Sequence, residues 1–301
     1  MKFLINNWVF LILLSFEFTS TGFLSHLSAK ELHRERSLYR NVVVTEKNKL
    51  RCMRFETRRK KSSNQACINL RKPDKLVFEY TQSILAGLAY NPLPKNILII
   101  GLGGGTLPQA FEKLLPDTVI TSVEIDPAVV SIAKKYFNYK ESDRVKTSTQ
   151  DGRVFVKRAL RKKQSYDWII LDAFNGDYIP EHLLTVEFLQ EVKNLLSDNG
   201  ILSANTFSSS ELYNYESVTY QAVFNQLQIL QSPTKGNRII FACNCNNFQK
   251  LPESTEKLVS LLKNYGVDLQ YLVARISTEI DWDESVKPLT DQHSPANLLN
   301  R

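Results

Sequence analysis

The sequence predicts an α/β fold: a doubly wound, mostly parallel sheet preceded by a small N-terminal β region. Three observations carry this. Apolar, strand-like runs alternate five times with helical segments between Ile97 and Asn205, the pattern of a parallel sheet with helices on both faces. The first run, Ile97 to Ile100, breaks into Gly101, Gly103, Gly104 and Gly105 before a helix. Glycine tolerates positive φ and close backbone approach, and the first-turn N–H groups of the helix lack intrahelical partners. Acids close successive runs at Glu124, Asp151 and Asp172, the first of them about twenty residues past the glycines.

Composition sets the outer bounds. The chain has 301 residues, 43% hydrophobic and 23% charged, enough for a full globular core with at most a small appendage. A formal net charge of +7 permits contact with an anionic surface without requiring one, and no nucleic-acid partner is expected. Four scattered histidines and four cysteines without a CxxC spacing argue against a metal site. Cys243 and Cys245 sit two apart on an expected strand and are not expected to bridge. Cys52 and Cys67 lie in neighbouring segments and can approach each other.

Taken in order, residues 1–29 carry an apolar block from Val9 to Leu14 that is short for a membrane span. It reads as a signal peptide with Ser20/Gly22 as cleavage site, or as an N-terminal anchor. Lys30, Arg34, Arg36 and Arg40 follow it and favour the anchor with a cytoplasmic domain, on an inner membrane; cleavage would instead mean a secreted or periplasmic protein. Residues 40–72 form the β region, with strands expected at Val42 to Val44, Leu50 to Thr57 and Ala66 to Leu70. The cations Arg58 to Lys61 between the last two form a solvated hairpin tip or a contact with anionic lipid. Residues 73–301 are the nucleotide-binding catalytic domain.

Within that domain a helix is expected over Lys75 to Tyr90, stopped by Asn91-Pro92. The glycine unit follows, with strands at Ile97 to Ile100 and Val119 to Val123 around a helix from Leu107 to Leu115. Asp126-Pro127 starts the next helix. Further strands are expected at Arg144 to Ser148, Asp167 to Leu171 and Ile201 to Asn205. Helices run between them at Val154 to Lys163 and Thr185 to Leu196, the latter capped by Asn199-Gly200. After a helix at Val218 to Gln226, Leu227 to Leu230 and Arg238 to Cys243 read as an antiparallel pair closing the sheet edge. Helices at Glu253 to Tyr265 and Leu269 to Ile276 complete the chain.

Ligands of an open α/β sheet sit beyond the strand carboxyl ends. There Glu124 can accept both hydroxyls of a ribose, Asp151 an adenine amino hydrogen, and Asp172 can face a sulfonium or an amine. A nucleotide with a cationic sulfur suits this set better than a nicotinamide dinucleotide. Asp151 and Asp172 are also good helix N-caps.

From Val42 to Phe207, and more loosely to Pro295, the chain resembles the spermidine synthase family, polyamine aminopropyltransferases with the fold of S-adenosylmethionine-dependent methyltransferases. The resemblance rests on the β region ending in Gln65, the Tyr80 helix, the glycine loop, Val123-Glu124-Ile125-Asp126, Asp151-Gly152-Arg153, and Tyr166-Asp167 leading to Asp172. It implies decarboxylated S-adenosylmethionine as co-substrate, 5'-methylthioadenosine as product, an amine acceptor, a homodimer, and an N-terminal β lid. It implies that Gln65, Gly101, Gly103, Gly104, Gly105, Glu124, Asp126, Asp151, Gly152 and Asp172 hold the nucleotide, and that Tyr80 and Gln82 face the acceptor.

Two departures stand out. The family's glycine loop GGGDGG carries an Asp for the free amine of the decarboxylated cofactor, and Gly104 stands in its place. The family's D-S/T-S/T-D-P stretch reads Asp172-Ala173-Phe174-Asn175-Gly176, so Asn175 replaces the base; a neutral amide has no useful pKa near 7. Asp172, then Asp177, are the carboxylates able to take over. The alternatives are a methyltransferase using intact S-adenosylmethionine and a non-catalytic nucleotide-binding protein.

Overall fold

The structure, a computed structural model, describes residues 29–56, 61–174, 179–208, 212–232, 236–250 and 256–295. The apolar leader, the hairpin tip at 57–60, and Asn175 and Asp177 lie outside the described residues.

The described chain opens with four strands, β1 (Lys30–Arg36), β2 (Asn41–Lys47), β3 (Leu50–Glu56) and β4 (Lys61–Asn69). They form one antiparallel sheet in that order. Asn48 and Lys49, at φ of 53° and 65°, make the tight β2–β3 turn that positive φ at both positions permits. Alternate residues Val42, Val44, Met53, Phe55, Ala66 and Ile68 bury one face against Val129, Ile132 and Phe137. The sheet thus starts at Lys30, ten residues before the expected residue 40. Strand β1 escaped the sequence reading because it is a charged edge. Arg34 pairs with Glu31 beside it and Glu56 across the sheet, and edge strands tolerate such charges.

A seven-stranded sheet follows, built of β5 (Asn96–Ile100), β6 (Val119–Glu124), β7 (Val145–Thr149), β8 (Tyr166–Leu171), β9 (Leu196–Phe207), β10 (Gln228–Gln231) and β11 (Asn237–Cys243). Its order is β10-β11-β9-β8-β5-β6-β7. The β5, β6, β7, β8 and β9 neighbours pair in parallel, and β10 and β11 close the edge antiparallel. Chain order reverses at β5, whose neighbours are β6 and β8, so the ligand crevice of a doubly wound sheet opens there.

Helices cover both faces. α1 (Glu79–Ile84), α2 (Thr106–Leu114), α7 (Glu256–Lys263) and α8 (Leu269–Ala274) pack on the side of Ile97, Ile99, Trp168 and Ile170. α4 (Gly152–Arg161), α5 (Val186–Leu195) and α6 (Leu212–Val223) pack on the side of Leu98, Ile100, Ile169 and Leu171. α3 (Pro127–Tyr136) faces the N-terminal sheet.

Three local expectations are corrected. The helix expected over Lys75 to Tyr90 is one turn and a half, Glu79–Ile84, tightening into a 3₁₀ turn at Leu85–Ala89. Residues before it are held outside the helix, with the Leu76 N–H on the Tyr265 carbonyl. Asn199-Gly200 caps no helix: α5 ends at Leu195, Leu196 is already extended, and Asn199 at φ 60° turns within β9. Finally, Cys243 and Cys245 form a disulfide. The strand ends at Cys243, so the extended backbone that would hold two same-face side chains parallel and apart does not continue to Cys245. Cys52 and Cys67, directly opposed across β3 and β4 with Cα atoms 4.1 Å apart, form the second.

Candidate active site

Each parallel strand ends by delivering one residue, a glycine from β5 and a polar side chain from each of the others, to the same place. Gly101 follows β5, Glu124 ends β6, Asp151 follows β7, Asp172 follows β8 and Asn205 lies near the end of β9. Together with Gly103, Gly152, Tyr80 and Gln65 they line one cavity of about 380 Å³, within the range of small-molecule sites. Gly101 sits at φ 109°, and a Cβ there would stand 2.3 Å from the Asp172 carbonyl oxygen, so only glycine lets these strand ends approach.

Glu124 is fixed by backbone. Its Oε2 accepts from the Leu102 N–H at 3.2 Å and its Oε1 from the Asp126 N–H at 3.0 Å. Burial pushes its pKa up, while those amides and the nearby Arg40 charge favour the ionised form. Arg40, on the turn after β1, lies over the Phe55 ring at 4.1 Å and lines the cavity. A carboxylate presented to the cavity from such a frame fits a ribose diol.

Asp151 has two roles. Its Oδ1 caps α4 by accepting from the Val154 N–H at 2.9 Å, and its Oδ2 meets His182 Nε2 at 2.8 Å. The His182 contact, followed by the capping amides, holds this carboxyl below the usual range. It stays an acceptor, as recognition of an amino group requires.

Asp172 is the reverse case. Burial pushes its pKa up to about 7, although Asn205 and Tyr80 both donate to it and favour the anion; the Glu124 charge adds to the upward shift. The Asn205 Nδ2 stands 2.9 Å from its Oδ1. Asn205 in turn accepts at Oδ1 from the Asn237 Nδ2, also at 2.9 Å. The rings of Phe174 and Phe207 meet edge to face at 5.1 Å and form the apolar wall of this end.

Four expected site residues do not line this cavity. Asp126 caps α3 by accepting from the Ala128 N–H and also takes a hydrogen bond from the Ser37 hydroxyl at 2.6 Å. Gln82 donates back to the Leu76 carbonyl at 2.8 Å. Gly105 lies under the Tyr139 ring. At Gly104 an ideal Cβ would stand 2.9 Å from the Ala66 Cβ and 3.0 Å from the Phe137 ring. Strand β4 and α3 thus fill the space into which a side chain at 104 would grow.

The sequence reading missed Arg40, His182, Asn205 and Asn237. Asn205 was within reach, since it ends the last expected parallel strand just as the acids end theirs. Arg40, His182 and Asn237 come from turns and an antiparallel strand and carry no local signal. Among the described residues no group of three histidine, cysteine or acidic side chains could hold a metal ion.

The spermine/spermidine synthase domain family matches residues 78–247. A polyamine aminopropyltransferase of Vibrio vulnificus is 46% identical over 272 residues, covering 89% of this chain and 91% of its own. The spermidine synthase of Thermotoga maritima shares the fold at a TM-score of 0.64 and 20% identity, over 83% of this chain and 85% of that one. Human methyltransferase-like protein 13, solved in complex with SAH, aligns with a TM-score of 0.54 and 26% identity over 69% and 96% of the two chains. The chain belongs to the spermine/spermidine synthase family.

Proposed function

We propose that this protein transfers the aminopropyl group of decarboxylated S-adenosylmethionine to a polyamine-type amine, with Asp172 as the proton acceptor. The observation that carries this is the pairing of Glu124 and Asp172 in one cavity. One carboxylate is set by backbone amides for a ribose, and the other is buried with a pKa of about 7. An ammonium has no lone pair, so the acceptor nitrogen must lose a proton to the site. The nitrogen then forms its bond to the propyl carbon while the carbon–sulfur bond breaks. The electron pair stays on sulfur, giving 5'-methylthioadenosine, and the proton resides on the Asp172 carboxylate. Tyr80 and Asn205 orient that carboxylate, and Phe174 and Phe207 wall the methylene chain.

Incubation with decarboxylated and with intact S-adenosylmethionine, each with a panel of amines, tests the reading. Release of methylthioadenosine is expected; release of adenosylhomocysteine alone would establish the methyltransferase alternative. Asn175→Asp should raise transfer, most of all at low pH. A homodimer is carried forward on the family resemblance, to be tested by light scattering.

Location is a separate proposal. Among the described residues no helix is long and apolar enough to cross a membrane. Both cysteine pairs are bridged, a state that a reducing cytoplasm undoes. The bridges therefore favour export of the domain past the 1–29 segment over the cytoplasmic anchoring and inner-membrane contact that the cations before residue 41 suggested.

A further inference from the structure

The Asn237–Asn205–Asp172 chain of hydrogen bonds has a direction forced by its end. An ionised carboxylate only accepts, so Asn205 must present its NH₂ to Asp172 and its carbonyl oxygen to Asn237. Asn237 must then present its own NH₂ to Asn205. That leaves the Asn237 Oδ1 as the free end of the relay, and no donor among the described residues meets it. Asn237 pairs in register with Phe207 across β9 and β11, so their side chains share one face. Asn205, two residues before Phe207, shares it too. Asn237 lines the cavity together with Phe207, Asn205 and Asp172. The acceptor end of the site therefore offers two oxygen acceptors, one charged and one neutral, held at fixed separation by Asn205 and flanked by an aromatic wall.

We propose that Asn237 binds the second amino group of the acceptor, and that Asn205 is the positioning residue that sets Asn237 and Asp172 in register for a molecule with an amine at each end. This rests on the amine-transfer reading above and assigns the specificity residue within it. A neutral carbonyl oxygen suits the distal position: it accepts from an ammonium without drawing off the proton that Asp172 must take from the reacting amine.

The test compares putrescine with n-butylamine, on wild type and on Asn237→Leu, a change of similar volume that removes the acceptor oxygen, with Asn237→Ala as a second variant. A hydrogen bond to a charged group accounts for roughly tenfold or more in affinity. The inference expects the KM for putrescine to rise at least tenfold in both variants, with kcat falling less than KM rises. It expects the preference for putrescine over n-butylamine to collapse. Methylthioadenosine binding, read by calorimetry, should stay within about twofold, which separates loss of the subsite from loss of the fold. Asn237→Gln, which keeps the acceptor, should recover part of the preference. An unchanged putrescine KM in Asn237→Leu, in an enzyme that releases methylthioadenosine normally, overturns this inference and leaves amine transfer standing. A wild type that releases no methylthioadenosine with any amine overturns the transfer reading, and this inference with it.

Discussion

At Asp172 burial and hydrogen bonding pull in opposite directions, and burial wins. The carboxyl moves from its ordinary 3.8 up to about 7 despite donors from Asn205 and Tyr80. Between those values the folded chain holds a proton that the unfolded chain has lost. Stability from this group is therefore complete below pH 3.8 and declines as pH rises toward 7. On the proposed mechanism activity runs the other way, since Asp172 acting as the base must be ionised. We expect kcat/KM to rise with pH and level off a little above neutrality. Asp172→Asn should abolish that limb, lower the rate by about 10²–10⁴-fold, and flatten the stability slope over the same window. Denaturant titrations from pH 4 to 8 beside rate measurements check both. A pH–rate limb that survives in Asp172→Asn would assign the base elsewhere. Glu124 invites a simpler test: Glu124→Ala should weaken adenosyl-ligand binding by about 1.5–3 kcal/mol, read by calorimetry, because two backbone amides already aim that carboxylate at the cavity.

At the scale of elements, Asp126 ties the turn after β1 to the start of α3, beside the apolar packing of the N-terminal sheet on Val129, Ile132 and Phe137. One oxygen caps α3 and the other holds Ser37, in the turn that carries Tyr39 and Arg40 to the cavity. Asp126→Ala should lose about 1–2 kcal/mol of stability as a cap and also weaken nucleotide binding by freeing that turn. Ser37→Ala should weaken binding with little loss of stability, since the α3 cap remains. Thermal melts and nucleotide titrations of the pair separate the two roles.

This arrangement also shows what could be read from residues alone. The ends of β5 and β8 were legible because Ile97 to Ile100 and Trp168 to Leu171 are unbroken apolar runs, whereas β6 and β7 carry threonine, serine or lysine and were legible through the acids Glu124 and Asp151 at their ends. Asp126, two residues past the acid that ends β6, stands beside the same crevice and yet turns away, because helix capping draws on the same residue type and its identity does not say which role it takes. The direction of a side chain after the last strand residue is set by the backbone, and on α1 the Gln82 side chain is drawn back in the same way by a local partner, the Leu76 carbonyl. Residues that reach the cavity across space depend on tertiary arrangement: Arg40, from β1's turn, on how two sheets dock, and Asn237 on the antiparallel pairing of β11 with β9. No local period encodes that. Strand β1 was hidden by its charges, and the Cys243–Cys245 bridge by the assumption that β11 runs on past Cys243.

For the whole molecule, the two bridges make a claim about environment. The Cys52–Cys67 bridge closes a 15-residue separation within the sheet that covers the glycine loop, for which loop-closure entropy predicts about 3 kcal/mol. Cys67→Ser should lower unfolding stability by roughly that amount in a denaturant titration. Peptide mapping under non-reducing conditions, on protein alkylated directly in cells, should recover both bridged pairs, and a reporter that matures only in an oxidising compartment should be active when fused after Arg301. Free thiols and a silent reporter would return the domain to the cytoplasm.

The contact of Ala66 with Gly104 has a consequence for the paths open to this sequence. Neither residue is bulky, and the Gly104 backbone is not in the left-handed region, so what bars a side chain at 104 is its neighbours alone. Gly104→Asp by itself drives a Cβ into another Cβ, which has no rotamer to escape through. Ala66→Gly by itself opens a gap beside the loop. A carboxylate at position 104 thus becomes tolerable only after a loss elsewhere, and the sign of its effect depends on which substitution comes first. The two positions are epistatically locked between the N-terminal sheet and the glycine loop, and a laboratory lineage selected for better handling of the nucleotide's free amine should acquire changes at 66 or 137 before any acid appears at 104.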